Sequence, residues 1–350
     1  VSDAIPIRVV EREGALRPEQ IPARVEDFLG LLGSPVLISV KGRDTSRTRI
    51  VATLLHGNEP SGLRAVHAWL RTGHVPAVNA LIFVAAIRTA LAPPGFAHRF
   101  LPGRNDLNRC WFPPFEAPVG AFAHEVLRLL RESNAESLVD LHNNTGHNPP
   151  YGVGPVPGAA ELNLVSFFAE RFVHSPLQLG TLVEATRDDF PSVTVECGRS
   201  GDPAADASAL AGLELYLAEE CLERRLVRAK RMEVFVDPVR VSVRDGVELA
   251  FGDGPVAGAD FTVAWDVDRH NFERLERGVV IGWLGPRGVW PVEALGEKGR
   301  DLSRDLFHVQ GSVLATRRSL IPIMMTSNRG NALDDCLFYV VQWGEMLGEE

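Results

Sequence analysis

His56 and Glu59 stand three residues apart in the stretch His56-Gly57-Asn58-Glu59-Pro60-Ser61-Gly62. An imidazole nitrogen and a carboxylate oxygen are both ordinary zinc ligands. The stretch follows an apolar run, residues 50–55, that reads as a buried strand, and it precedes Leu63, Val66 and Leu70 at helical spacing. The pair therefore falls where a strand turns into a helix, and ligands gather at the carboxyl edge of open α/β sheets. A third ligand is offered by His142, at the carboxyl end of a second strand-like run, residues 137–141. Two His and one Glu hold zinc and leave a position for water. Taken alone, each motif also fits a buried, hydrogen-bonded His and a surface Glu. The block Asp106-Leu107-Asn108-Arg109 between them adds weight to the metal reading.

Glu196 ends another strand-like run in an apolar setting, Val193-Thr194-Val195-Glu196-Cys197. Burying a carboxylate there is costly unless it is paired. A structural ion pair would meet that requirement. A general base, taking a proton from water and returning it to a leaving group, would give it a function. The four cysteines are widely spaced with no CxxC pair, so a thiolate zinc site is not indicated. No G-x-S-x-G is present, and Gly152-Val153-Gly154 is too short for a nucleotide fingerprint.

In their order and rough spacing, HGNEPSG, DLNR, Asp140-Leu141-His142 with Asn143-Asn144-Thr145, and Val195-Glu196-Cys197-Gly198 resemble the aspartoacylase and succinylglutamate desuccinylase family. That family belongs to the zinc carboxypeptidase clan. The resemblance spans residues 36–228, with a weaker continuation at His270-Asn271-Phe272-Glu273 and Leu275. It implies one zinc per chain held by His56, Glu59 and His142, with Glu196 as the catalytic base. It also implies that Asn108 and Arg109 bind a substrate carboxylate, for which a guanidinium fork is well suited. A further Arg should polarise the scissile carbonyl. Arg99, followed by Phe100, fits that position, although Pro102-Gly103 lengthens the spacing to Asn108; Arg104 is the rival. Arg187 resembles an Arg that binds the side-chain carboxylate of acylated aspartate, and its neighbours Asp188 and Asp189 offer it surface partners instead.

The implied activity is hydrolysis of the amide bond of an N-acyl amino acid by zinc-activated water, with that small molecule as the partner. A zinc metallocarboxypeptidase acting on short peptides needs the same ligands. A zinc-binding protein without turnover would not need Glu196 or Arg99.

The elements must bring these residues together. Strand-like runs at 36–41, 50–55, 80–86, 137–142 and 192–196 alternate with amphipathic stretches around 122–130, 162–172 and 210–221. The alternation predicts α/β architecture, a mostly parallel sheet with helices on both faces, as in zinc carboxypeptidases. Gly42-Arg43-Asp44 suggests a hairpin or tight connection between the first two strands. Asp206 is a candidate cap for the helix that carries Leu210, Leu213 and Leu217. The loop at 93–114 is too long for a plain connector, and such loops are usually functional. After about residue 230 the runs become short and β-like, with Gly-rich turns. The expected organisation is a leader over 1–35, a catalytic domain over 36–228 and a small all-β domain over 229–350, which in the resembling family narrows the entrance to the site.

Composition sets the remaining bounds. Across 350 residues, 45% hydrophobic and 23% charged content are globular values. A net charge of −9 argues against nonspecific nucleic-acid binding. No run approaches the roughly 18 apolar residues of a membrane span. No signal peptide is visible and reduced thiols are the default, which together predict a cytoplasmic protein. A homo-oligomer is compatible with the sequence and not specified by it.

Overall fold

The computed structural model describes residues 7–103, 105–115, 118–222, 232–296, 299–334 and 336–344. The chain divides into two units. The first takes the described residues up to Asn143 together with Pro150–Glu233; the second takes Asn144–Pro149 and the described residues from Val234 on.

Eight strands build the sheet of the first unit: β1 (Arg8–Glu11), β2 (Val36–Val40), β3 (Asp44–Thr53), β4 (Val78–Val84), β5 (Ala135–Asn144), β6 (Tyr151–Gly154), β7 (Arg171–His174) and β8 (Ser192–Arg199). Their spatial order is β1-β2-β4-β3-β5-β8-β6-β7. β3 runs parallel to both β4 and β5, while β2 is antiparallel to β4 and β6 to β8. Among its helices are α1 (Val25–Leu32), α2 (Ser61–Thr72), α3 (Val119–Glu132), α4 (Ala159–Val165), α5 (Leu182–Thr186) and α6 (Pro203–Ala218).

Side chains alternate across the sheet with the period of two that strands impose. On one face, Ile50 and Ala52 of β3, Phe83 of β4 and Leu138 of β5 bury against Phe122, Val126 and Leu130 of α3 and Leu182 of α5. Each fully buried Ile, Val, Leu or Phe side chain is worth roughly 1.5–3 kcal/mol. On the other face, α2 seats against β3 and β5. A Cβ on Gly62 would stand 2.4 Å from Thr53 Oγ1 and 2.5 Å from Leu141 Cβ. Helices therefore cover both faces, as the alternation of elements implies.

Several local expectations are corrected. β2 and β3 do not form a hairpin, because β4 lies between them. Their connection is tight because Gly42 passes β4 so closely that a Cβ there would lie 2.1 Å from the Val78 carbonyl carbon. Asp202, not Asp206, caps α6, its side chain accepting from the Ala204 amide at 2.8 Å. The stretch 162–172 is not one helix: α4 stops at Val165 and the chain enters β7. The residues before 36 contribute β1, paired in parallel with β2.

The second unit is built from β9 (Glu233–Val243), β10 (Leu249–Gly252), β11 (Phe261–Ala264), β12 (Val280–Leu284), β13 (Val292–Leu295), β14 (Phe307–Gln310), β15 (Val313–Thr316), β16 (Ile321–Ile323) and β17 (Phe338–Trp343). β10, β11, β12, β15 and β14 form one sheet in that order. β13 and β17 both pair antiparallel with β9, and β16 with β17. The runs at 234–236 and 239–243 are one strand, through Asp237 at φ 53°. Val241, Phe261, Phe307, Leu314 and Phe338 lie in its core.

Candidate metal centre

β3 ends at Thr53, and Leu54 adopts a left-handed backbone, φ 57°. Such a conformation costs a residue with a Cβ roughly 1–2 kcal/mol. It is held by Ala86 N donating to Leu54 O at 2.7 Å and by Gly57 N donating to Arg99 O at 3.0 Å. This turn delivers His56 and Glu59 just before α2. His142 comes from the end of the neighbouring parallel strand, β5. The three side chains are buried, and their ligand atoms lie within 4.8 Å of one another. Glu59 sits between the rings: Oε1 is 2.8 Å from His56 Nδ1 and Oε2 is 2.6 Å from His142 Nδ1.

The outer nitrogens are held as well. His56 Nε2 lies 3.0 Å from Asp106 Oδ1, and His142 Nε2 lies 2.7 Å from Asp140 Oδ2. A carboxylate on the outer nitrogen places the proton there and leaves Nδ1 as the ligating atom, the usual support of a metal-bound His. Two imidazole nitrogens and a carboxylate, converging and so supported, form a donor set that fits zinc. Burial lowers the proton affinity of both imidazoles. For His56 the charge of Glu59 and the bond to Asp106 more than offset it; for His142 the charges of Asp140 and Glu59 do so. Both rings are therefore raised. Burial works against the Glu59 carboxylate, yet the two imidazoles hold it well below its ordinary range.

Glu196 joins the cluster from β8. Its Oε2 is buried without a hydrogen-bond partner among the described residues. Burial, then the charge of Glu59, pushes its carboxyl up to about 7. A carboxyl poised near neutrality in a buried site is suited to moving protons.

No protein-family model and no curated protein matches the sequence. Solved structures do match. A succinylglutamate desuccinylase/aspartoacylase from Rhodobacter sphaeroides is 17% identical, covers 87% of this chain and 88% of its own, and superposes with a TM-score of 0.56. A succinylglutamate desuccinylase from Vibrio parahaemolyticus is 18% identical over 88% of this chain and 86% of its own, with a TM-score of 0.58. Murine aminoacylase 3 is 17% identical over 87% of this chain and 97% of its own, with a TM-score of 0.52. The chain has the desuccinylase/aspartoacylase fold.

Within this desuccinylase/aspartoacylase fold, the other expected site residues fall into two groups. Arg99 lies in the cluster: Nε and Nη2 donate to Asp106 Oδ2 at 3.1 and 3.0 Å, and Nη1 is 3.6 Å from Glu59 Oε1. Its rival Arg104 lies outside the described residues. Asn108 and Arg109 follow in a short 3-10 turn after Asp106. Asn108 is buried, its Oδ1 accepting from Leu182 N at 3.0 Å, while Arg109 is exposed, its Nη1 donating to Asn108 O at 2.8 Å. Trp111, meeting Phe83 edge-on at 6.3 Å, pins this long loop to the sheet.

Arg187 is not brought to the cluster. It is exposed, 3.6 Å from Asp188, and Asp189 is tied to Arg131 at 2.8 Å. Leu138 N bonds Pro191 O, and Asn143 Nδ2 bonds Gly198 O, so β8 runs alongside β5 in the same direction. Arg187 precedes the foot of β8, at the sheet edge opposite His142.

Asp106, Asp140 and Asn143 were not assigned roles from the sequence. The acidic residues preceding the Asn-Arg pair and His142 were visible, but contacts such as His56 to Asp106, fifty residues apart, are not local.

Proposed function

We propose that the protein is a zinc-dependent hydrolase that cleaves the amide bond of an N-acyl amino acid. The observation that carries the proposal is the buried His56–Glu59–His142 cluster with the partnerless Glu196 oxygen beside it. A scaffold has no use for a buried carboxylate oxygen without a partner, which costs stability. A base that must exchange a proton needs that oxygen uncommitted. The names of the matched enzymes, desuccinylase, aspartoacylase and aminoacylase, agree with the reading.

His56, Glu59 and His142 would hold the zinc, which when bound supplies a Lewis acid that polarises a carbonyl oxygen and acidifies water. Glu196 accepts the proton of the attacking water and passes it to the departing amine nitrogen. Arg99 donates to the oxygen that gains charge at the scissile carbonyl; its position against Glu59 puts a guanidinium N–H on the metal side. Asp106 holds both His56 and Arg99, so one carboxylate orients a ligand and an oxyanion donor together. Arg109, with Asn108 beside it, receives the substrate's free carboxylate. Arg187 has no part in this account, since its place at the foot of β8 takes it away from the reacting atoms.

The test is a panel of N-acyl amino acids, their methyl esters and short peptides, incubated with zinc-loaded protein and assayed for free amine. Release from the N-acyl amino acids, with esters much poorer, is expected. Arg109→Lys keeps the charge but loses the fork, so it should lose much of the preference for acid over ester. Preferential release from peptides would support a metallocarboxypeptidase instead. No release from any substrate would contradict the enzyme reading.

A further inference from the structure

We infer that Asn143 is a positioning residue that locks the metal ligands and the base into one register. The inference rests on the function proposed above. The side chain is buried, and it ties together three stretches of chain that are distant in sequence. Its Oδ1 accepts from Ser61 N at 2.9 Å. Its Nδ2 donates to Ser61 Oγ at 2.9 Å and to Gly198 O at 3.0 Å. Its backbone N lies 3.4 Å from Glu59 Oε2. Asn143 itself follows His142, Ser61 lies two residues after Glu59, and Gly198 lies two after Glu196. Each of its side-chain bonds therefore connects one functional residue's strand or turn to another's.

The local chemistry explains why an amide stands here. α2 begins at Ser61 with Pro60 at its N-cap and no side-chain cap. The first amides of a helix lack intrahelical partners, and Asn143 Oδ1 takes one of them across the sheet edge. A buried carboxylate in its place could not donate to a carbonyl, and an aliphatic residue could neither donate nor accept. The link is braced from behind: Ser61 Oγ donates to Asp206 Oδ1 at 2.6 Å, and Arg64 Nη1 pairs with Asp206 Oδ2 at 2.7 Å. This is the role of Asp206, which does not cap α6. Removing an outer-sphere partner of a metal site typically costs 10–100-fold in metal affinity or activity.

The two ends of the amide separate in a test. Asn143→Asp keeps an acceptor for Ser61 N and loses the donor to Gly198 O and to Ser61 Oγ. It should hold zinc within a few-fold of wild type, measured by chelator competition, while kcat falls about 10–100-fold with KM little changed. Asn143→Ala loses all three side-chain bonds and should also weaken zinc affinity about 10–100-fold, with an altered visible spectrum in the cobalt-substituted protein. Ser61→Ala, which removes only the hydroxyl, should fall between wild type and Asn143→Ala. Variants that keep metal affinity, cobalt spectrum and kcat within about three-fold of wild type, with only a lower melting temperature, would overturn the inference. A wild type that binds zinc tightly but deacylates nothing would overturn the deacylase reading alone. The affinity and spectrum of Asn143→Ala would then decide the positioning role. A wild type that takes up no metal would overturn both.

Discussion

Glu196 is the side chain whose surroundings most constrain its role. A buried carboxylate oxygen without a partner destabilises the fold, and Glu59 nearby adds repulsion. Glu196→Gln removes the charge and keeps the shape. It should reduce turnover by about 10²–10⁴-fold while zinc content stays at wild-type level. The metal-free variant should melt no lower than the metal-free wild type. Turnover within a few-fold of wild type would show that another group is the base.

The imidazoles give a second prediction. Both have raised proton affinity, so their contribution to stability is complete below about 6.5 and is lost as pH rises through their folded values. Glu196, raised to about 7, also loses stabilising protons as pH rises toward 7. Metal-free protein should therefore become less stable from pH 6 to pH 8. Zinc competes with protons for both His Nδ1 atoms, so its affinity should increase over the same range. The gap in melting temperature between zinc-loaded and metal-free protein should widen from pH 6 to pH 8. A gap independent of pH would mean that the imidazoles do not lose protons on binding.

At the scale of elements, the centre depends on how α2 seats on β3 and β5. Gly62 allows the approach; a Cβ there meets Thr53 Oγ1 and Leu141 Cβ inside contact distance. Gly62→Ala should cost about 1–3 kcal/mol in denaturant unfolding and weaken zinc binding, because the helix start that follows Glu59 must move. Unchanged unfolding would show that α2 has more freedom than this packing implies. The residues of the His56–Glu59–His142 cluster were legible because His56 and His142 each follow a strand-like run, and a buried parallel strand advertises its carboxyl end. Strand neighbours were not legible in the same way. Gly42-Arg43-Asp44 looks like a hairpin turn, yet the partner of both flanking strands is β4, supplied some forty residues later. Arg187 misled for a related reason. Nine residues separate it from Glu196, but Arg187 precedes β8 and stands exposed beside Asp188, while Glu196 is buried within the strand.

At the scale of the whole molecule, the chain leaves the first unit at Asn143 and its next six residues belong to the second. Asn271 holds that segment: Nδ2 donates to His147 O at 3.2 Å and to Asp268 O at 2.7 Å, and Oδ1 accepts from Met325 N at 2.7 Å. The His270-Asn271-Phe272 stretch was legible as a motif, but its bonds to residues 124 and 54 positions away were not. Asn271→Ala leaves a buried amide unpaired, and should destabilise the second unit by about 1–3 kcal/mol. Hydrogen exchange at Met325 should report it, and protection equal to wild type would contradict it. The α/β class was readable because alternating strands and amphipathic helices repeat along the chain. The β-rich unit was readable only in outline, since its short strands carry little periodicity.

The most direct test of the account is the metal dependence of amine release from N-acyl amino acids, with zinc content measured on the same samples. One zinc per chain is expected in the active protein. Activity should fall in proportion to zinc removed by chelator and return on re-addition, and His142→Ala should lose both metal and activity. Amine release that persists at wild-type rate in metal-stripped protein would contradict it.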